Sequence, residues 1–449
     1  MRNKILTLAV AIPLCLLLMA LAYNLPPVHS RLSWRLEALV SQIKYTINPP
    51  DEAVFVPQGQ VDPAPSLPAS SPTPTQLPPS PTSAGPTPTP APTDTPAPSA
   101  TPLPAAVSLD GVVYVDQHGR WNYCGPANLT MALKFWGWPG DRDDVAEVVK
   151  PGIVSDPSLD FIQRGKADKN VMPYEMANFV ADHTDFNIVL RSGGNIELVK
   201  RLIASGFPVL IEKGYYEADY TGKIAWMGHY LFVTGYDDAT GAFTVQDAYL
   251  KPGKDMHTDY PTFIEGWRSF NYLFMVVYPP EREAEVFSLL GPWADPTWAN
   301  QHALEIADKE KDTLTGNDQF FAWFNKGTSH VNLTQYPEAA AAYDQAFQIY
   351  STLGSDDTQR PYRMMWYQTG PYWAYFYSGR YQDTINLANT TLNDTIAEPT
   401  LEESLYWRGM AYQALGQTGD AIADFRETVR LNPNFGPGLD MLAQLGVNP

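Results

Sequence analysis

Between Pro57 and Ala105 the chain holds seventeen prolines set among Thr, Ser and Ala, with two charges (Asp62, Asp94) and no aromatic residue. A stretch of that composition cannot bury enough apolar surface to offset the entropy lost on ordering it. It therefore divides the chain, and whatever folds must lie on either side of it. Read as an extended, disordered linker over residues 57–105 at ~3.1 Å per residue, it reaches on the order of 150 Å, as a stalk through cell-wall material would. In a chain of 449 residues the remainder is long enough for two further domains.

Ahead of the linker, Arg2 and Lys4 precede nineteen uncharged residues, Ile5 to Tyr23, enough to cross a bilayer. Basic residues before the apolar run favour a cytoplasmic N-terminus with the chain exported behind it, although Arg31, Arg35 and Lys44 weigh against that orientation. Residues 1–28 thus read as a signal anchor, or as a cleaved signal peptide with Ala20-Leu21-Ala22 as the cleavage site. Both readings export the rest. The expected location is a bacterial-type cell membrane crossed once, with extracytoplasmic domains, or secretion if the segment is cleaved.

Within residues 29–56, Leu32, Leu36, Leu39, Val40 and Ile43 recur at helical spacing, which predicts a short amphipathic juxtamembrane helix. The formal charge of −19 repels phosphates and excludes nucleic acid as a partner.

Only two cysteines occur, Cys15 in the apolar run and Cys124 beyond the linker, so the exported part has no internal disulfide. Globular composition begins near Asp110. Val112-Val113-Tyr114-Val115 reads as a first strand, and helices follow over Pro126–Trp136, Asp141–Val149, Pro173–Asp182 and Ile196–Ser205. The period then changes to two, with strands over Pro208–Glu212, His229–Tyr236, Ala242–Asp247 and Tyr272–Val277. Helices followed by an antiparallel sheet make an α+β domain, over residues 106–285.

Cys124-Gly125-Pro126 sits where a loop becomes a helix, since Pro126 suits the first turn and Leu129, Ala132, Leu133 and Trp136 form an apolar face. A thiol there feels the positive end of the helix dipole, which lowers its pKa and favours the nucleophilic thiolate. The thiolate needs a partner able to exchange a proton, and His229 opens a strand rich in apolar residues. If Tyr236 pairs with Ala242 across the Asp237–Gly241 turn, Leu231 faces Asp247. His229 and Asp247 then lie diagonally on one face, roughly 7–8 Å apart at the backbone. Asp247 can orient the imidazole there, and a register shifted by one would separate them. Gln117, seven residues before Cys124, can join the Cys124 N–H as oxyanion donor. His118 is a competing base on the wrong side of the nucleophile. His183, His257, His302 and His330 show no metal-ligand spacing, so no metal or other cofactor is expected.

Gln117, Cys124-Gly125-Pro126-Ala127, Gly228-His229-Tyr230 and Gln246-Asp247-Ala248 together resemble the papain-like fold. They are most similar to the stand-alone relatives of the bacteriocin-leader peptidases, family thirty-nine of the cysteine peptidases. The resemblance covers about Asp110 to Pro280. It implies a cysteine peptidase in which glutamine, cysteine, histidine and aspartate take the roles assigned above. No transporter follows, so leader cleavage after a double glycine is not carried over.

Beyond Pro296 the pattern is helical and repetitive. Gly327, Ala339, Tyr343 and Ala346 take the places of Gly409, Ala421 and Phe425, with a middle copy at Tyr381, Thr384 and Ala388. These spacings resemble the tetratricopeptide repeat, predicting an all-α domain over 296–449 that binds a peptide or protein partner. Its aromatic residues, at repeat spacing, read as core rather than as a carbohydrate platform. The expected whole is an exported, membrane-anchored cysteine peptidase acting on a peptide or protein. The alternatives are an inactive surface scaffold, or an acyl transferase or amidase on cell-wall peptides, which the same Cys-His-Asp set could serve.

Overall fold

The computed structural model describes residues 23, 25, 28, 54–62, 102–120, 122–151, 170–218, 224–354, 360–392 and 401–449. The expected signal anchor, the juxtamembrane helix and the linker between residues 63 and 101 fall almost wholly outside the described residues. Among the described residues no helix is long and apolar enough to cross a membrane.

The α+β domain is a twisted antiparallel sheet with helices on both faces. In chain order its elements are β1 (Ala106–Ser108), α1 (Cys124–Phe135), α2 (Arg142–Val149), α3 (Pro173–His183), β2 (Asn187–Arg191), α4 (Ile196–Ala204) and β3 (Val209–Ala218). There follow β4 (Ile224–Asp237), β5 (Ala242–Gln246), β6 (Met256–Asp259), α5 (Tyr260–Arg268), β7 (Phe274–Tyr278) and α6 (Glu283–Leu290). The sheet runs β2-β7-β3-β4-β5-β6, and β1 pairs with the end of β4.

Local chemistry sets several boundaries. Asp141 caps α2, accepting from the Asp143 and Asp144 amides while the Asp144 carboxylate accepts from its own. Asn195 caps α4 by accepting from Leu198. Strand β7 alternates between two cores and is buried throughout. Met275 and Val277 pack with Leu129, Leu133 and Phe179 on the α1/α3 face, and Phe274 and Val276 with Leu198, Leu202 and Phe263 on the other.

Two expectations need correction. The first strand is Ala106–Ser108 rather than Val112–Val115. Its register, Ala106 opposite Asp237, continues the edge of β4 where β3 has ended, whereas residues 112–115 find no strand partner and run irregularly past the site. The β4–β5 hairpin also closes one residue away from the expected register, with Asp237 opposite Ala242 and Tyr236 opposite Phe243. A bulge between Val233 and Gly235 then restores it, so that Val233 faces Val245 and Phe232 faces Gln246. The extra residue is Thr234, whose carbonyl accepts from Leu109 N at 2.9 Å, just past β1. The bulge therefore depends on the strand that the sequence pattern misplaces.

The C-terminal part is all helical: α7 (Pro296–Thr313), α8 (Gly316–Asn332), α9 (Tyr336–Thr352), α10 (Gly370–Tyr377), α11 (Tyr381–Leu392), α12 (Glu402–Ala414), α13 (Thr418–Leu431) and α14 (Gly436–Gln444). Three hairpins, α8/α9, α10/α11 and α12/α13, correspond to the three repeat copies. A Cβ on Gly327 would stand 2.6 Å from the Tyr343 ring, and one on Gly409 would stand 2.8 Å from Phe425, so each glycine admits the partner helix's aromatic. The aromatic residues are indeed core: Tyr343, Tyr372, Tyr375, Trp407 and Phe425 are all buried.

The two domains share an apolar seam. At the far end of the β3–β4 hairpin Trp226 stacks on Phe270 at 5.7 Å and meets Phe321 of α8 at 5.8 Å and Tyr367 at 5.7 Å. Around it Asn325 Nδ2 donates to Arg268 O at 2.6 Å, Asn271 Nδ2 to Ser329 Oγ at 3.0 Å, and Gln368 Nε2 to Ser269 O at 2.7 Å. Arg268 bridges Glu310 and Asp318 at 3.1 and 2.8 Å.

Candidate active site

Cys124 is the first residue of α1 and is only partly buried. The helix is pinned to the sheet by fully buried Asn128, whose Nδ2 donates to Cys124 O at 2.9 Å and to Tyr230 O at 3.0 Å. That link fixes the sulfur against the middle of β4, where His229 precedes Tyr230. The Cys124 thiol and the His229 ring act on each other, the ring lowering the thiol pKa and the thiol raising that of the ring. His229 Nε2 is 2.8 Å from Asp247 Oδ1, both residues being buried, so Nδ1 is the nitrogen left for sulfur.

Asp247 follows β5 and is itself held. Its Oδ1 accepts from Tyr249 N at 2.8 Å and Leu250 N at 2.9 Å, and its carbonyl accepts from the Tyr114 hydroxyl at 3.0 Å.

Gln117 belongs to the same cluster of loops, since its N–H donates to the Ala248 carbonyl at 2.9 Å. The side chain is largely buried, and its Oε1 has no hydrogen-bond partner among the described residues. His118 does not join the group. Its Nδ1 bonds Asp116 at 2.7 Å and its ring stacks on Tyr249 at 5.6 Å.

Other residues reach this centre that sequence reasoning did not single out. Lys150 is buried with its Nζ on the Asn122 carbonyl at 3.0 Å and over the Tyr123 ring at 4.8 Å, and its charge favours the Cys124 thiolate. Glu212, opposite Tyr230 on β3, is buried, and burial followed by the Cys124 charge pushes its carboxyl well above the usual range. Tyr367 comes from the helical domain, and its ring lies where a Cβ on Gly228, the residue before His229, would approach within 2.6 Å. The alternation of β3 could have flagged Glu212 as an inward carboxyl. Nothing in a Tyr-rich repeat region distinguishes Tyr367.

Electrostatics follow from burial opposed by pairing. Burial raises the Cys124 thiol, but the His229 hydrogen bond and charge, the Tyr230 amide and Lys150 more than offset it and leave the pKa below the ordinary thiol value. Burial lowers His229, yet the Asp247 charge and hydrogen bond, then Cys124, raise it to about 9. Burial raises Asp247, yet His229 and the two loop amides bring it down to about 2.

The signs give a pH prediction. The thiolate–imidazolium pair exists above the lowered thiol pKa and is lost as His229 deprotonates through about 9. A reaction that uses this pair would therefore speed up below the usual thiol range and slow through about pH 9. Because the folded pKa of His229 exceeds its unfolded value, its stabilisation is complete below about 6.5 and also disappears through about 9. A kcat/KM profile checks the first statement, and melting temperatures over the same range check the second.

The Peptidase C39 like family matches residues 109–275, and the tetratricopeptide repeat matches residues 402–435. Among solved structures, a C39-like peptidase from Bacillus anthracis is similar at 17% identity, with a TM-score of 0.30, covering 38% of this chain and 96% of its own. Xylellain, a cysteine protease from Xylella fastidiosa, is similar at 17% identity, with a TM-score of 0.27, covering 39% of this chain and 87% of its own. No curated protein matches the chain.

Proposed function

From a chain that carries a peptidase C39 like domain followed by a tetratricopeptide repeat, we propose a cysteine peptidase that hydrolyses peptide bonds through Cys124, His229 and Asp247. The observation that carries this reading is the buried relay from the Asp247 carboxylate, 2.8 Å from His229 Nε2, through the ring to a thiol at a helix N-terminus.

In the first step the Cys124 thiolate attacks the amide carbonyl carbon. The oxygen becomes an oxyanion held by the Cys124 N–H and the Gln117 side-chain amide. His229 Nδ1–H gives its proton to the leaving amine as the C–N bond breaks, leaving a thioester. His229 then takes a proton from water, whose oxygen attacks the thioester. The C–S bond breaks, releasing the acid and restoring the thiolate–imidazolium pair. Asp247 keeps the ring oriented throughout and stabilises its charged form.

Incubation of the purified full chain with an unstructured protein tests the reading. New peptide termini should appear with the wild type and be absent with Cys124→Ala, and identical products from both would overturn it. Gln117→Ala should lower kcat by about 10²–10³-fold while leaving KM nearly unchanged, the mark of an oxyanion donor. A fall in KM-linked binding alone would assign Gln117 to substrate contact instead.

The same proposal places the enzyme outside a membrane, held by residues 5–23, with the repeats binding a peptide or protein partner. Support comes from the basic flank and the length of the apolar run. Recovery of the full-length chain in a carbonate-washed membrane fraction is expected. A soluble form beginning shortly after Ala22 would mean cleavage.

A further inference from the structure

Residues 54–62, which composition assigns to the spacer and linker, lie against the helical domain. Phe55 is buried edge-to-face on Phe347 of α9, with ring centres 4.9 Å apart, and beside Tyr375 of α10 at 5.9 Å. Three residues on, the Gln58 and Gly59 amides donate to the two oxygens of Asp383 on α11, at 2.7 and 3.1 Å. Gly59 has φ +72°, which turns the chain so that successive amides meet one carboxylate. The Asp62 side chain then accepts from the Gln382 amide at 2.7 Å, capping the first turn of α11, while its own amide donates to Gly379 O at 2.9 Å.

The receiving surface is built rather than incidental. Asp383 is almost wholly buried and held by Arg380 at 2.7 Å, and Arg380 in turn grips Asp344 of α9 at 2.8 Å. Without the segment, a buried carboxylate would lose two amide donors and the Phe347 and Tyr375 rings would be uncovered. The surface reads four features of an extended peptide: an aromatic side chain, two consecutive amides just beyond it, and a carboxylate three residues further on.

We propose that α9, α10 and α11 form a peptide-binding site whose resident ligand is the chain's own segment 54–62. Two consequences follow. Both ends of residues 63–101 are fastened to the folded body, at Asp62 on the helical domain and at β1 on the sheet, so this part of the chain closes a loop instead of serving as a stalk. The reach toward an anchor at residues 5–23 is then set by residues 24–53, at most about 100 Å. The inference rests on the helical domain alone and stands whether or not Cys124 is active.

Two measurements on the full chain test it. With a specific protease site inserted after Ser80, the cut N-terminal fragment should remain bound to the body through an N-terminal tag pull-down. Phe55→Ala combined with Gln58→Pro, which deletes the aromatic anchor and one amide donor, should release it.

In the second, a fluorescent synthetic peptide of residues 53–63 is titrated by anisotropy. The uncut wild type should not bind it at micromolar concentration, because the tethered segment is present at an effective concentration on the order of millimolar. The Phe55→Ala/Gln58→Pro chain should bind it, and adding Asp383→Asn should weaken that binding at least tenfold. Release of the wild-type fragment on cutting, or failure of the peptide to bind the double variant, would overturn the proposal.

Discussion

On the proposed peptidase reading, Cys124→Ala is expected to abolish peptide hydrolysis, and His229→Ala to lower kcat by about 10⁴-fold with KM little altered. Both follow from the geometry. On that reading the sulfur is the nucleophile, and no second cysteine lies among the described residues to replace it. Without the ring, the thiol loses the hydrogen bond and charge that oppose its burial, and the leaving amine loses its proton donor. Asp247→Asn is milder, because an amide oxygen can still accept from Nε2–H and keep the ring in place, while the carboxylate charge that raises His229 is gone. Steady-state kinetics on a peptide substrate separate these outcomes. A His229→Ala loss confined to KM would mean that the ring binds substrate and does not move the proton.

Trp226→Ala destabilises the protein by about 3–5 kcal/mol, the range for removing a large aromatic from a core. The indole is fully buried between the domains and touches Phe270, Phe321 and Tyr367, so its loss leaves a void at the seam. The expected result by calorimetry is a melting temperature lower by on the order of 10 °C, with the helical and α+β domains melting in two steps where the wild type melts in one. Activity should fall as well. Tyr367 packs over Gly228 next to His229, and the seam keeps it there. A single unshifted transition would show that the seam carries little of the stability.

Much of this arrangement is legible in the sequence, and the parts that are not share one cause. Helix α1 announces itself through Pro126 and the apolar positions after it, α4 through Asn195, and the repeat hairpins through Gly327 facing Tyr343 and Gly409 facing Phe425, because each is decided within one element or between neighbours. The approach of His229 to Asp247 is readable from the two-residue period of β4 and β5, although the register reaches it only through the Thr234 bulge. That bulge, the strand Ala106–Ser108 and the polar strand Met256–Asp259 depend on partners distant in sequence or on edge pairing, and their composition carries no mark of it. The same holds for the docking of Phe55 and for Tyr367 beside the site. A proline-flanked stretch reads as linker and a tyrosine among repeats reads as core until the fold supplies the surface each one meets.

The most direct measurement of whether this site generates a nucleophile is the alkylation rate of Cys124 at pH 6 by iodoacetamide, followed by mass spectrometry on the full chain. An ordinary thiol is only about 0.3% ionised at that pH. With the thiolate held by His229, the wild type should react on the order of 100-fold faster than a free cysteine, and His229→Ala should remove that excess. Equal, slow rates for the wild type and His229→Ala would contradict the peptidase reading and leave the domain as a binding module.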